Sequence, residues 1–156
     1  MKRKLAYLVL FPIALSGCVF ARNNFSEFKE KLGVTMPNKY EKVFHNSETT
    51  IDSNLKYDIY NIKNDWKLEY KIQFQTDFEE EFNLDEYIDS INGYNPLNIP
   101  TKYYIPHSSS LDWICKREAG SARNYEWLLI YDSETHFLYA LDSTHQALHQ
   151  AIPMNN

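Results

Sequence analysis

The sequence predicts an α+β fold, an antiparallel sheet of about five to seven strands with two main helices packed on it. Three observations lead there. Residues 66–75, WKLEYKIQFQ, alternate apolar and polar without exception, the period of a strand with one dry face and one wet face. Residues 126–132, EWLLIYD, and 137–143, FLYALDS, flank the polar connection Asp132-Ser133-Glu134-Thr135-His136 and read as a hairpin. Trp127 to Tyr131 is apolar enough for a central strand. Two further segments repeat apolar residues at helical spacing: Phe25, Phe28 and Leu32, then Leu84, Tyr87, Ile88 and Ile91.

The elements follow in chain order. Asn24 is placed to cap a helix through FSEFKEKL, and Gly33 to stop it at the position after the last turn. Pro37 and Asn38 turn the chain into a short strand, YEKVFH. LKYDIYNI is strand-like, and Lys63-Asn64-Asp65 reads as the hairpin connection to the alternating strand that starts at Trp66. Thr76 and Glu79 have capping-box spacing, which predicts that the second helix starts there, within TDFEEEFNLDEYIDSING, and closes at Gly93. The loop NPLNIP, the stretch KYYI and the polar turn PHSSS lead into LDWICKR, another strand. THQALHQAI is expected to add one or two helical turns before Pro153. There is no repeat, low-complexity tract or internal linker.

The first segment reads as an address. Lys2, Arg3 and Lys4 precede an apolar run, Leu5 to Leu15, broken only by Pro12, and Ser16 and Gly17 supply small residues at a cleavage point. The run is shorter than the roughly 20 residues that span a bilayer. Leu15-Ser16-Gly17-Cys18 resembles the lipobox of bacterial lipoproteins. That resemblance implies cleavage between Gly17 and Cys18, a diacylglyceryl group of palmitate-class chains on the Cys18 sulfur, and scope for a third acyl chain on the new amino terminus. Two chains suffice for stable anchoring, at roughly 0.8 kcal/mol per buried methylene. The layout is then a signal peptide at 1–17, a lipid-attached tether at 18–24, and one α+β domain at 25–156. Val19, rather than aspartate, follows the cysteine, which by the family's sorting rule implies the outer membrane, facing the periplasm, rather than the inner membrane. A plain cleaved signal or an uncleaved amphipathic anchor are the alternatives.

Charge and cysteine content narrow the function classes. The chain has a net charge of −5, and loss of Lys2, Arg3 and Lys4 with the signal would take it to about −8. Nucleic acid is therefore not an expected partner, since its backbone demands a basic footprint. With Cys18 lipidated, Cys115 is the single remaining thiol, and its place in a strand predicts a buried, inert side chain.

No catalytic residue, metal ligand or cofactor is expected. His145 and His149 have zinc-compatible spacing but lack further ligands and the adjacent glutamate of a metalloprotease helix. His107, Ser108, Ser109, Ser110 and Asp112 are the residue types of a serine triad without the glycine elbow that exposes a nucleophile. More informative is the acidic stretch. Between Ile72 and Thr101 there is no lysine, arginine or histidine, whereas Asp77, Glu79, Glu80, Glu81, Asp85, Glu86 and Asp89 all fall there. Such a field can steer a basic partner. Tyr103, Tyr104 and Tyr125 are the aromatic residues whose facing the pattern leaves open. Residues 124–144 resemble the closing hairpin of small bacterial proteins of unknown function, through Asp132, Leu138, Tyr139, Asp142 and Thr144. Some proteins of that appearance sit beside toxin genes.

These readings converge on a lipid-anchored cell-envelope protein. Its expected partners are the membrane, through the acyl chains on Cys18, and a basic envelope or toxin protein met by the acidic surface in an immunity or inhibitor role. A structural or assembly accessory of the envelope and a glycan or small-ligand binding module are the alternatives.

Overall fold

The computed structural model describes residues 25–51, 53–77, 79 and 81–144. The chain is α+β: α1 (Phe25–Leu32), β1 (Tyr40–Thr49), β2 (Asn54–Ile62), β3 (Phe74–Thr76), α2 (Leu84–Asn92), β4 (Leu111–Glu118), β5 (Tyr125–Asp132) and β6 (Phe137–Thr144). The six strands form one sheet in the order β1-β2-β6-β5-β4-β3. Four of the five pairings are antiparallel, but β3 runs parallel to β4, so the sheet is mixed rather than purely antiparallel. A parallel neighbour requires a crossover, and here the chain from β3 to β4 passes through α2.

Both faces of the sheet are covered, which explains why the central strands read as continuous apolar runs. On one face Leu55, Tyr57 and Ile59 of β2, Cys115 of β4, Leu128 and Ile130 of β5, and Tyr139 and Leu141 of β6 meet Tyr87, Ile88 and Ile91 of α2. On the other, Tyr60, Ile62, Ile114, Trp127, Leu129, Tyr131, Leu138 and Ala140 meet Phe25 and Phe28 of α1, together with Val34 and Leu68. Strand alternation sends odd and even positions of each run to opposite layers. The β5–β6 hairpin, the burial of Cys115 and the extent of α1 agree with expectation, and Gly33 ends α1 at φ +67°, where glycine has no side-chain penalty.

Three expectations are corrected. Residues 66–73 are not a strand, and only Phe74–Thr76 pairs in the sheet. Lys63-Asn64-Asp65 does not join a hairpin, because both edges of β2 are already taken, by β1 and by β6. The chain instead leaves the sheet after Ile62 and lies over the second layer. There Leu68 is buried and Trp66 packs edge-to-face on Tyr131, at 4.9 Å between centroids and 81° between planes. α1 is only eight residues long, and the remainder of that layer is roofed by this loop. The alternation of 66–75 thus serves anchoring of a loop at Trp66 and Leu68, while Tyr70 and Ile72 stand exposed.

The second helix does not begin at the Thr76–Glu79 spacing. It begins at Leu84, where the Asn83 side chain accepts hydrogen bonds from Asp85 N at 3.1 Å and Glu86 N at 3.4 Å. Asn83 Nδ2 also donates to the Glu86 side chain, Oε1, at 3.0 Å, so the N-cap lies further along the chain than expected.

Candidate functional site

The acidic stretch divides around the helix cap. Tyr87, Ile88 and Ile91 turn inward, leaving Asp85, Glu86 and Asp89 on the outer side of α2, and Asp77, Glu79 and Glu81 are exposed on the segment that leads from β3 to the helix. Glu80 lies outside the described residues. The field is not wholly uncompensated. His107 sits between two of the helix carboxylates, Nδ1 at 3.1 Å from Asp85 Oδ1 and Nε2 at 2.9 Å from Asp89 Oδ1. Hydrogen bonds to Asp85 and then Asp89 raise its pKa. Asp77 Oδ2 accepts from the backbone of Ala119 at 3.0 Å and fixes the end of the β3–β4 pair. Glu79, Glu81 and Glu86 face solvent without an ion pair among the described residues.

The residue types of a serine triad do not assemble. His107 is occupied by the two aspartates. Ser108 and Ser110 share a hydrogen bond of 2.6 Å, and Ser110 Oγ donates to Asp132 Oδ1 at 2.8 Å. Asp132 is a turn former. It also accepts from Glu134 N and Thr135 Oγ1, and these bonds outweigh the effect of burial and lower its pKa. The three tyrosines with unassigned facing are dispersed. Tyr103 packs on Phe44 and Phe137 at the start of β6, and Tyr104 is partly exposed beside it. Tyr125 stacks on Trp127 and pairs with Thr144 at the far end of that strand. Gly17, Cys18, His145 and His149 lie outside the described residues.

An open groove of about 810 Å³ is formed where the loop after β2 crosses the sheet end, lined by Thr35, Asp65, Trp66, Lys67, Glu69, Asp112, Tyr131, Ser133 and His136. Trp66 is held by its ring nitrogen, which donates to Thr35 O at 3.0 Å. The Tyr131 hydroxyl lies 3.1 Å from His136 Nδ1. Burial first, then the charges of Asp132, Asp65 and Asp112, raise the Tyr131 pKa, so the field of those carboxylates converges on this hydroxyl.

Among the described residues no group of His, Cys, Asp and Glu side chains could hold a metal ion, and no helix is long and apolar enough to cross a membrane. No family model, curated protein or solved structure matches the chain.

Two polar clusters escaped sequence reasoning. Asp58 of β2, buried, lies 3.0 Å from Lys42 Nζ, 2.6 Å from His45 Nδ1, 3.8 Å from Lys56 Nζ and 3.1 Å from the Tyr60 hydroxyl. Burial alone would raise its pKa, but the hydrogen bonds from Lys42 and His45 and the charges of Lys42 and Lys56 hold it below the usual value. Asp142 on the same face, opposite Lys56 in the β2–β6 register, has the reverse balance. Burial and the nearby Glu27 push it up to about 6 against the pull of Lys56. The second cluster is Arg117, Glu126 and Tyr87, all buried under α2. The only sequence signal for either was a charged residue inside an apolar strand.

Proposed function

We propose that this chain is a lipid-anchored cell-envelope protein whose folded domain binds a basic protein partner, in an immunity or inhibitor role without chemistry of its own. The acyl chains on Cys18 would hold the domain at the outer membrane, on the periplasmic side. The partner would dock on the outer side of α2 and the segment before it.

One observation supports this reading above the others. Asp85, Glu86 and Asp89 are exposed on a helix whose opposite side is locked into the core by Tyr87, Ile88 and Ile91, and Asp77, Glu79 and Glu81 are exposed on the segment that leads into it. A charged surface on a rigidly packed element presents its field without first having to be ordered, which favours electrostatic steering. The dispersal of Tyr103, Tyr104 and Tyr125 gives the glycan alternative no shared platform.

The test is crosslinking in native membranes, followed by binding of the captured partner to purified protein at increasing salt. The reading expects a 1:1 complex whose association rate falls steeply with ionic strength. Reversal of charge at Glu79 and Glu81 should slow association by about tenfold or more. Binding indifferent to both salt and charge reversal would remove α2 and its leading segment as the docking surface.

A further inference from the structure

We propose that the groove beside Trp66 is a binding site for a small organic cation, an ammonium group carried on a short carbon skeleton. The site is separate from the acidic helix surface, and the inference does not rest on the protein-partner reading.

The size is suitable, since small-ligand pockets run to roughly 300–1,000 Å³ and this groove, open to solvent, offers about 810 Å³. Its chemistry is selective. Asp65, Glu69 and Asp112 line it, Lys67 is the one lysine or arginine among its lining residues, and none of the three carboxylates has an ion-pair partner among the described residues. An anionic ligand would meet net repulsion there. The half-buried Trp66 is the aromatic ring a ligand in the groove can reach, because Tyr131, on which it packs edge-to-face, is only 2% exposed. A cation is attracted to the electron-rich face of such a ring and not to its edge, which carries partial positive charge, so the Trp66 face and the carboxylates together favour a cation over a neutral ligand.

The remaining polar groups are held in place. The Trp66 ring nitrogen is tied to Thr35 O, and the Ser133 hydroxyl donates to Ser110 O at 3.2 Å, which leaves its lone pairs to accept from an incoming N–H. The Tyr131 oxygen is 3.1 Å from His136 Nδ1. Asp65 and Trp66 belong to the loop after β2, Asp112 to β4 and Tyr131 to β5. The site therefore exists only because residues 66–73 leave the sheet.

The experiment is titration of the full chain with cadaverine, followed by tryptophan fluorescence and by calorimetry, with N-acetylglucosamine as the neutral control. Saturable cadaverine binding with a Kd of about 1 mM or tighter is expected, and no saturation with the sugar. The variant Asp65→Asn/Asp112→Asn should weaken binding about tenfold, whereas Asp85→Asn/Asp89→Asn, which removes the same charge elsewhere, should leave it unchanged. These are exposed positions, so both proteins should retain the wild-type circular dichroism spectrum and Tm. Three outcomes would each overturn the proposal: no saturation by cadaverine, equal weakening by the two double variants, or equal affinity for the sugar.

Discussion

The hydroxyl of Tyr87 donates a 2.6 Å hydrogen bond to Glu126 Oε1 and so ties α2 to β5 inside the core. The other carboxylate oxygen of Glu126 accepts from Arg117 Nε, and the guanidinium lies 5.3 Å and 5.8 Å from the ring centres of Phe82 and Phe74. This buried pair is the joint that sets the acidic helix on the sheet. Breaking one side of such a pair strands the other charge, so Glu126→Gln is expected to cost about 3–5 kcal/mol. Tyr87→Phe removes one hydrogen bond to a charged group and should cost about 1.5–3 kcal/mol. Urea unfolding of both single variants and the double variant checks this, with the double falling short of the sum because both changes act on one carboxylate.

Asp58 and Asp142 should give opposite pH signatures from the same sheet face. The Asp58 pKa is lowered from 3.8 by its cations, so its contribution is present above 3.8 and is lost as pH falls through the lower folded value. Asp58→Asn should therefore lower Tm at pH 7, and the difference from wild type should shrink progressively as pH falls below 3.8. Asp142 is raised to about 6, so the folded chain holds a proton between pH 3.8 and 6 that the unfolded chain has released. Its contribution is present below 3.8 and disappears as pH rises through 6. Asp142→Asn should raise Tm at pH 7.5 and leave it unchanged at pH 3.5. Thermal melts across that range decide the matter, and a parallel response of the two variants would contradict the assigned environments.

Much of the sheet was legible because β5 and β6 are buried on both faces and carry that fact as runs of apolar residues. α1 was legible from Phe25 and Phe28 with Gly33 behind them. The stretch from Trp66 to Gln75 was not, for a physical reason. Alternation reports that every second side chain is dry, not that the backbone between them is paired. A loop lying across an apolar layer can satisfy part of the same pattern with two anchors, Trp66 and Leu68. The groove was illegible for the same reason, since it joins residues 65–69 to Asp112, Tyr131 and His136 across three separate segments. The acidic residues were legible as charge, but the bridging of Asp85 and Asp89 by His107 was not, because its contacts span 22 and 18 positions.

Those two anchors make a local prediction. Trp66→Ala removes the contact with Tyr131 and the hydrogen bond to Thr35, and should cost about 2–3 kcal/mol, less than for a fully buried tryptophan. The loss should be concentrated in the loop. Amide hydrogen exchange is expected to accelerate at residues 66–73 while β5 and β6 keep their protection. Uniform acceleration across the sheet would mean that the loop and the sheet open together.

The proposal of a lipid anchor makes its own prediction about Cys18, and intact mass of the protein purified from its native membranes reads it out. The expected mass begins at Cys18 and carries two or three acyl chains, and Cys18→Ala should lose them and shift the protein to the soluble fraction. The folded domain should be indifferent to that change. Cys115 is buried in the core beneath α2, and burial, with the charge of Glu126, drives its thiol pKa well above the ordinary value. It is therefore a poor partner for a second thiol. Equal Tm for the lipidated protein and the Cys18→Ala variant is the expected result. An unmodified Cys18 in the native protein would instead remove the envelope tether, and with it the reason to look for the basic partner at the membrane.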